Sequence, residues 1–117
     1  MPRMMSFALT EPQLLNGSKT VTRRMGWLTL KASDEVIAVR KAMGLKKGER
    51  AVRLARLRII RTRREPLWHI TQDDCRREGF PAMTPFMFIE FFCSSHRGCM
   101  TGTIVTRIEF EMIERLK

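Results

Sequence analysis

Residues 17–24 contain the side chains best suited to chemistry. They read Gly-Ser-Lys-Thr-Val-Thr-Arg-Arg, so an amine, two hydroxyls and two guanidinium groups follow a flexible glycine. Cationic side chains bind anions, and a lysine that has lost its proton can activate a nearby hydroxyl as a nucleophile. We therefore predict an anion-binding or nucleophile-activating site. Its candidate residues are Lys19, Thr20, Thr22, Arg23 and Arg24.

The overall charge narrows the choice of partner. The chain has 22 Lys and Arg residues against 12 Asp and Glu, which gives a net charge of +10 and a pI near 10.8. Like charges repel one another in the compact state, so such an excess of positive charge usually serves to bind a polyanion. Because arginine supplies most of it, we predict a nucleic acid partner. The alternative is a surface charged only for solubility.

Length and composition predict a single domain over residues 1–117. Apolar residues make up 44% of the sequence, enough for one core, and this argues against global disorder. No apolar run is long enough to cross a bilayer, and residues 1–5 lack the apolar core of a secretory signal. We therefore expect no membrane partner, a cytoplasmic location, and reduced thiols at the three cysteines.

Periodicity, capping residues and glycine stops predict the elements that must position the site. The predicted strands cover residues 4–9, 35–40, 54–59 and 103–113, with a short extended piece at 19–24. The predicted helices begin at Thr10, Thr71 and Pro85. Trp68, Ile70 and the apolar run 86–92 are expected to be largely buried. The result is an α+β fold with a mainly antiparallel sheet that can curl into a small barrel.

A regular strand would not bring the candidate residues together. Side chains alternate between the two faces of a strand, so Lys19 and Thr22 would point in opposite directions. A shared site requires Gly17 and Ser18 to bend the backbone and turn Lys19 inward. Thr20 is the alternative hydroxyl if this bend does not occur.

Several segments together resemble the ASCH domain family. They are residues 6–10, 14–24, 31–34 and 78–80, and residues 105–110 are similar to the closing strand of that family. The most specific match is the pattern Gly-x-Lys-Thr-x-Thr-x-Arg within residues 17–24. The resemblance implies a PUA-like fold, which is a small β-barrel with flanking helices and a cleft for RNA or a nucleoside.

The same resemblance implies a reaction. Small bacterial members of similar size are amidohydrolases that deacetylate N4-acetylcytidine, with a catalytic Lys, a Thr three residues later and a Glu on a downstream helix. These correspond to Lys19, Thr22 and Glu78 here. Other members bind RNA, and ribonuclease activity has been attributed to some. The Arg-rich strand and the loop between Cys93 and Cys99 depart from the deacetylase pattern.

The residue chemistry is compatible with amide hydrolysis, which needs a nucleophile, a base and an acid for the leaving amine. Thr22 offers a hydroxyl. Lys19 can act as the base once its pKa falls below the ordinary value of about 10.4, and the charges of Arg23 and Arg24 push it in that direction. Glu78 is predicted at a helix C-terminus, where the dipole favours the protonated acid. The arginines beside it act in the opposite sense.

We therefore predict an RNA- or nucleoside-binding ASCH domain that hydrolyses an N-acyl group on a modified nucleoside such as N4-acetylcytidine. The alternatives are a non-catalytic RNA-binding module, in which Lys19, Arg23 and Arg24 only grip phosphate, and a ribonuclease. We expect a monomer that needs no cofactor and no metal.

Two further features favour nucleic acid contacts. Arg40, Arg56 and Arg58 form a predicted basic face on adjacent strands, suited to the RNA backbone. The alternative is a solvated face that resists aggregation of the sheet. Trp27, beside the reactive segment, is the better candidate for stacking on a base, because Trp68 lies between apolar neighbours.

The spacing Cys93-x-x-His96-x-x-Cys99 offers metal-binding side chains in one loop, and Cys75 could be a fourth ligand. Structural zinc requires four such donors in a tetrahedral arrangement. The alternative, which we favour, is three reduced or buried thiols without a metal.

Overall fold

The computed structural model describes residues 3–117. The chain folds into five strands that form one sheet, with three helices around it. The strands are β1 (Arg3–Ser6), β2 (Val21–Arg24), β3 (Glu35–Val39), β4 (Arg53–Pro66) and β5 (Ile104–Arg115). The helices are α1 (Glu11–Leu15), α2 (Gln72–Arg77) and α3 (Pro85–Ser94), and a short 3-10 helix covers Leu67–His69.

The sheet is mixed, with the strand order β1-β3-β4-β5-β2. β1 pairs with β3 in parallel, whereas the other three pairs are antiparallel. β4 and β5 form the long central ladder, and its register shifts between Arg56 and Leu57 and again between Ile59 and Arg61. Such irregularities bend and twist a strand, so the sheet curls into a half-barrel. The predicted α+β class and mainly antiparallel sheet are confirmed.

Two apolar clusters fill the interior. One lies around the central strands and α1, and includes Met5, Phe7, Leu14, Leu57 and Phe110. The other packs α2 and α3 against the chain that joins β4 to β5, and includes Leu67, Ile70, Cys75, Phe88 and Val105. The buried charged residues, among them Lys19, Arg23 and Glu78, belong to neither cluster.

Two burial predictions were wrong. Trp68 is 56% exposed and meets His69 edge to face, because its neighbour Leu67 takes the core position in the 3-10 helix. Ile70 is buried as predicted. Helix α3 is only partly buried: Phe88 and Phe92, one helical turn apart, face the core, whereas Phe86 and Met87 remain exposed. No helix within residues 3–117 has the length and apolar character required to span a bilayer.

Candidate functional site

A cavity of about 230 Å³ opens beside the edge strand β2. Its walls come from the chain that leaves β1, from the segment that leads into β2, from the C-terminal end of α2 and from α3. The polar residues that line it include Lys19, Thr22, Arg23, Arg24 and Glu78. The three residues that the family resemblance implies for catalysis therefore share one cavity, although Glu78 lies far from the other two in sequence.

A bend before β2 turns Lys19 into this cavity. Gly17 has a φ of +83°, and β2 begins only at Val21, so Lys19 lies outside the regular strand. The backbone N–H of Lys19 donates to the carbonyl of Gln13 at 3.1 Å, and that of Thr20 donates to the carbonyl of Arg77 at 2.8 Å. The bend that the sequence required at Gly17 is present, which allows Lys19 and Thr22 to line the same space.

Gly79 lets the chain after α2 pack against this bend. Its φ is +97°, a left-handed conformation that favours glycine. A Cβ at this position would lie 2.7 Å from the Cβ of Gln13 and 3.5 Å from the Cβ of Lys19. The predicted helix stop therefore has a second role, because it allows the preceding residue, Glu78, to approach Lys19.

Lys19 and Glu78 form a buried ion pair. The Lys19 ammonium donates to Glu78 Oε1 at 2.7 Å and to the Glu78 backbone carbonyl at 3.0 Å. Both side chains are almost inaccessible to solvent. Burial lowers the pKa of Lys19, whereas the Glu78 carboxylate opposes this shift. The amine is thus held where loss of its proton is easier than in water.

Arg23 holds the other oxygen of the same carboxylate within a buried network. It donates to Glu78 Oε2 at 3.2 Å, to Glu65 Oε2 at 3.1 Å and to Asp74 Oδ2 at 2.7 Å, and Arg107 donates to Asp74 Oδ1 at 2.9 Å. Burial of the Arg23 guanidinium is outweighed by these carboxylates, so its pKa is raised. The fully enclosed side chain orients Glu78 and is not offered to an RNA phosphate.

Sequence reasoning missed the partners in this network. Glu65, Asp74 and Arg107 lie on β4, α2 and β5, and each is buried. Glu65 lies after the predicted strand 54–59, and Asp74 lies in the first turn of the helix predicted to begin at Thr71. Both stand among other charged residues, so no local signal identifies partners so distant in sequence.

Arg24 is the cation of the cavity that has no carboxylate partner among residues 3–117. Its Nε donates to the Thr22 hydroxyl at 3.0 Å, and its guanidinium carbon lies 4.8 Å from the centre of the Phe7 ring. Burial lowers the pKa of Arg24 to about 10, although Glu78 opposes the shift, so the group stays charged at neutral pH. This guanidinium is placed to bind an anion or a polarised carbonyl oxygen.

Thr22 is buried beside Arg24, and its hydroxyl accepts the Arg24 hydrogen bond while its own proton stays free to be donated. Within the part of the chain that the structure describes, no hydrogen bond joins this hydroxyl to the Lys19 amine, which is held by Glu78. Proton transfer between Thr22 and Lys19 therefore requires a bridging water or a shift of the lysine side chain.

An aromatic wall completes the cavity. Phe80, Phe88, Phe91 and Phe92 line it, with ring centres between 5.1 Å and 6.3 Å apart in four of their pairs, and His96 stacks on Phe92 at 4.0 Å with an interplanar angle of 12°. The run 86–92 is predicted from its apolar character to be largely buried, whereas three of its phenylalanines border the cavity. A cavity with one polar and one aromatic side suits a planar polar molecule.

The remaining predicted nucleic-acid residues lie outside this cavity. Thr20 is exposed. Trp27 packs partly against the core, and the guanidinium carbon of Arg3 lies 3.9 Å from its ring centre. One face of the indole is therefore already occupied by a cation.

The predicted basic face of the sheet consists of arginines that each pair with a carboxylate. Arg40 binds Glu11 at 2.8 Å. Arg56 binds Glu35 at 3.0 Å and Glu114 at 3.2 Å, and Arg58 binds Glu111 at 3.2 Å. These carboxylates compensate much of the positive charge that the alternation in β4 indicated.

The cysteine and histidine residues do not assemble a metal site. Within residues 3–117, no group of three or more His, Cys, Asp or Glu side chains is arranged to hold a metal ion. Cys75 is buried in the cluster beneath α3, whereas Cys93 and Cys99 lie next to each other at the end of α3. The structure lends no support to the zinc alternative.

Comparisons with known proteins inform the fold. The chain matches no model of a known protein family, and no curated protein matches it. The fold is similar to that of protein EF3133 from Enterococcus faecalis V583, whose crystal structure is described with the family model DUF984. The TM-score is 0.68 and the sequence identity is 14%, and the match covers 100% of this chain and 83% of that one. At this identity the similarity shows a shared small α+β fold and nothing about activity.

Proposed function

We propose that this chain is an ASCH-type, PUA-like domain that binds RNA or a nucleoside and hydrolyses an N-acyl group on a modified nucleoside such as N4-acetylcytidine. The observation that carries this assignment is the meeting of Lys19, Thr22 and Glu78 around one cavity. The curled sheet with flanking helices is compatible with a small barrel of the PUA-like kind.

The ion pair supports a role for Lys19 as the base. If the proton moves from the Lys19 ammonium to the Glu78 carboxylate, the pair becomes a neutral amine and a neutral acid. Burial favours the neutral amine in this form, because it lowers the pKa of Lys19. The amine then accepts the proton of the Thr22 hydroxyl through a bridging water, and the Thr22 oxygen attacks the acyl carbon.

Arg24 and Glu78 serve the later part of the reaction. The Arg24 guanidinium is hydrogen-bonded to the nucleophile, so it lies near the oxygen on which negative charge develops, and it stabilises that oxyanion. The Glu78 acid returns its proton to the departing amine, and water then releases the acyl group from Thr22. The aromatic wall, which includes Phe91 and Phe92, holds the planar base of the substrate.

A non-catalytic anion-binding module is the second candidate. The observation that favours it is the charged pairing of Lys19 and Glu78, which a purely structural salt bridge also explains. Phosphate binding would then depend on Arg24, because Lys19 and Arg23 are already neutralised by carboxylates.

The test is release of acetate and cytidine from N4-acetylcytidine by purified wild-type protein, measured by liquid chromatography. Lys19→Ala, Thr22→Val and Glu78→Gln are each expected to lower kcat by at least about 10²-fold. Arg58→Ala, outside the cavity, is the matched control and is expected to retain the rate. Wild type that releases no acetate but binds RNA in low salt would favour the second candidate. Cleavage of a labelled RNA that is lost in Lys19→Ala would point to a ribonuclease instead.

A further inference from the structure

Cys93 and Cys99 place two thiols in direct contact. The Cys93 thiol is directed at Cys99 Sγ, and the two sulfur atoms lie 2.7 Å apart. The Cys99 thiol also lies 3.8 Å from the Met100 carbonyl. Both residues are partly exposed and neither is in a disulfide. A bond between the two sulfurs would therefore need little movement of the chain. Reagents in solution can reach both thiols.

The backbone between the two cysteines returns through successive turns. The N–H of His96 donates to the Cys93 carbonyl at 3.4 Å, and the N–H of Cys99 donates to the His96 carbonyl at 3.1 Å. Gly98 has a φ of +76°, which permits the tight return to Cys99. The contact between the sulfurs is thus a product of the loop's own hydrogen bonding.

This loop is also part of the cavity wall. Ser95 and His96, which lie between the two cysteines, both line the cavity. The His96 ring stacks on Phe92, and its Nδ1 lies 2.8 Å from the Phe92 carbonyl oxygen. A covalent link between Cys93 and Cys99 would tie the loop back to α3 and restrict the position of these two cavity residues.

We propose that Cys93 and Cys99 form a reversible dithiol–disulfide pair, with a low-molecular-weight disulfide as oxidant, and that the disulfide fixes the loop that carries Ser95 and His96. This inference does not depend on the proposed catalytic activity. It replaces metal binding as the role of the two thiols, since no group of three or more His, Cys, Asp or Glu side chains within residues 3–117 is arranged to hold a metal ion.

The chemistry is a two-step exchange. The Cys99 thiolate attacks one sulfur of the small disulfide, forms a mixed disulfide and releases one small thiol. Burial and the neighbouring Cys99 sulfur raise the pKa of Cys93 to about 11, so Cys93 keeps its proton until the second step. It then attacks Cys99 Sγ and releases the second small thiol. The protein loses two electrons and two protons, which the two released thiols carry, and a dithiol reagent reverses the reaction.

Trypsin mapping makes the test direct, because cleavage after Arg97 separates the two cysteines. Purified chain is equilibrated with reduced and oxidised glutathione over a range of ratios in the presence of a chelator, then alkylated and digested. The expected product is a disulfide-linked pair of peptides, residues 78–97 and 98–107, with loss of two hydrogens in the intact mass and full reversal by dithiothreitol. Cys93→Ser and Cys99→Ser are each expected to give a glutathione adduct and no internal bridge.

Three results would overturn the proposal: wild type that accumulates glutathione adducts without an internal bridge, two thiols that stay open to alkylation at every ratio, or a bridge to Cys75.

The claim that the disulfide fixes the loop is tested by hydrogen exchange of residues 94–98. Exchange is expected to slow at least about fivefold in the oxidised protein. Equal exchange in both states would exclude a fixed loop. Cys75→Ala supplies a background in which Cys93 and Cys99 are the sole cysteines.

Discussion

The Lys19 ammonium lies 2.7 Å from a Glu78 carboxylate oxygen, although 59 positions separate the two residues in the chain. Each residue is buried, and the contact joins the segment before β2 to the end of α2. The pair closes one side of the cavity, and its carboxylate opposes the lowering of the Lys19 pKa by burial. Most of the expected properties of the site follow from this contact.

Breaking the pair should destabilise the fold in a way that a double variant partly rescues. Lys19→Met and Glu78→Gln are each expected to lower the free energy of unfolding by about 3–5 kcal/mol, because each removes one member of a buried ion pair. The double variant should lower the free energy of unfolding by at least about 1 kcal/mol less than the sum of the two single effects. Urea unfolding measures all three.

The exposed pair Lys31–Asp34 provides the control for this cycle. Its members are 79% and 30% exposed, so the corresponding double variant should show a coupling below about 0.5 kcal/mol. Strictly additive effects at Lys19 and Glu78 would mean that the buried contact contributes nothing to stability.

Arg23 should act by positioning Glu78. In Arg23→Lys, the compact ammonium cannot span the positions that the two guanidinium nitrogens reach, so Glu78 loses one of its supports. We expect kcat for deacetylation to fall at least about tenfold with little change in KM. Arg58→Lys is the matched control, since its pair with Glu111 is exposed. A rise in KM with unchanged kcat would instead indicate that Arg23 binds the substrate.

Arg24 should matter for function more than for stability. Because no carboxylate in residues 3–117 pairs with it, Arg24→Gln is expected to change the free energy of unfolding by less than about 1 kcal/mol. The rate of deacetylation should fall by about 10²-fold through loss of the oxyanion contact. Arg40→Gln makes the same change at an exposed arginine and is the control for both measurements.

The same variant also separates the two proposed functions. In a non-catalytic RNA-binding protein, Arg24→Gln would weaken RNA binding and reduce the salt dependence of log K by about 0.7 for a single-stranded ligand. If neither the rate nor RNA affinity changes, Arg24 has no role in binding or catalysis.

Activity should fall at high pH, where the pair of Lys19 and Glu78 loses the one proton that the reaction returns to the leaving amine. Burial lowers the pKa of Lys19, so this falling limb of kcat/KM is expected to lie below the ordinary lysine value of about 10.4. Between the lowered and the ordinary lysine pKa the folded state binds fewer protons than the unfolded state, so the stability contributed by Lys19 rises with pH. Glu78→Gln removes both the proton donor and the charge that opposes the shift, so its residual activity should instead rise with pH as the Lys19 amine loses its proton. A falling limb that Glu78→Gln leaves in place would assign the titration to another group.

Local patterns were sufficient for the elements of the fold. The alternation near the C-terminus predicted the strand that is β5, Ile104–Arg115. Thr71 and Thr84 cap α2 and α3 as their positions indicated, since their side chains accept hydrogen bonds from the backbone N–H groups of Asp74 and Met87. The alternation of β4 slips at Ile60, where the register shifts between Ile59 and Arg61, and the strand then continues to Pro66. These features depend on neighbouring residues, so the sequence alone determines them.

Tertiary structure decided which charges meet. The 22 arginines and lysines look alike in a local window. In the folded chain Arg23 is enclosed by three carboxylates and Arg58 pairs at the surface, whereas Arg24 lines the cavity with no carboxylate partner among residues 3–117. In the same way, the aromatic run of α3 could not reveal that Phe91 lines a cavity whereas Phe86 faces solvent. Sequence periodicity determines the face of an element on which a side chain lies. The partner across that face depends on how distant elements pack, and only the folded chain brings Lys19 and Glu78 together.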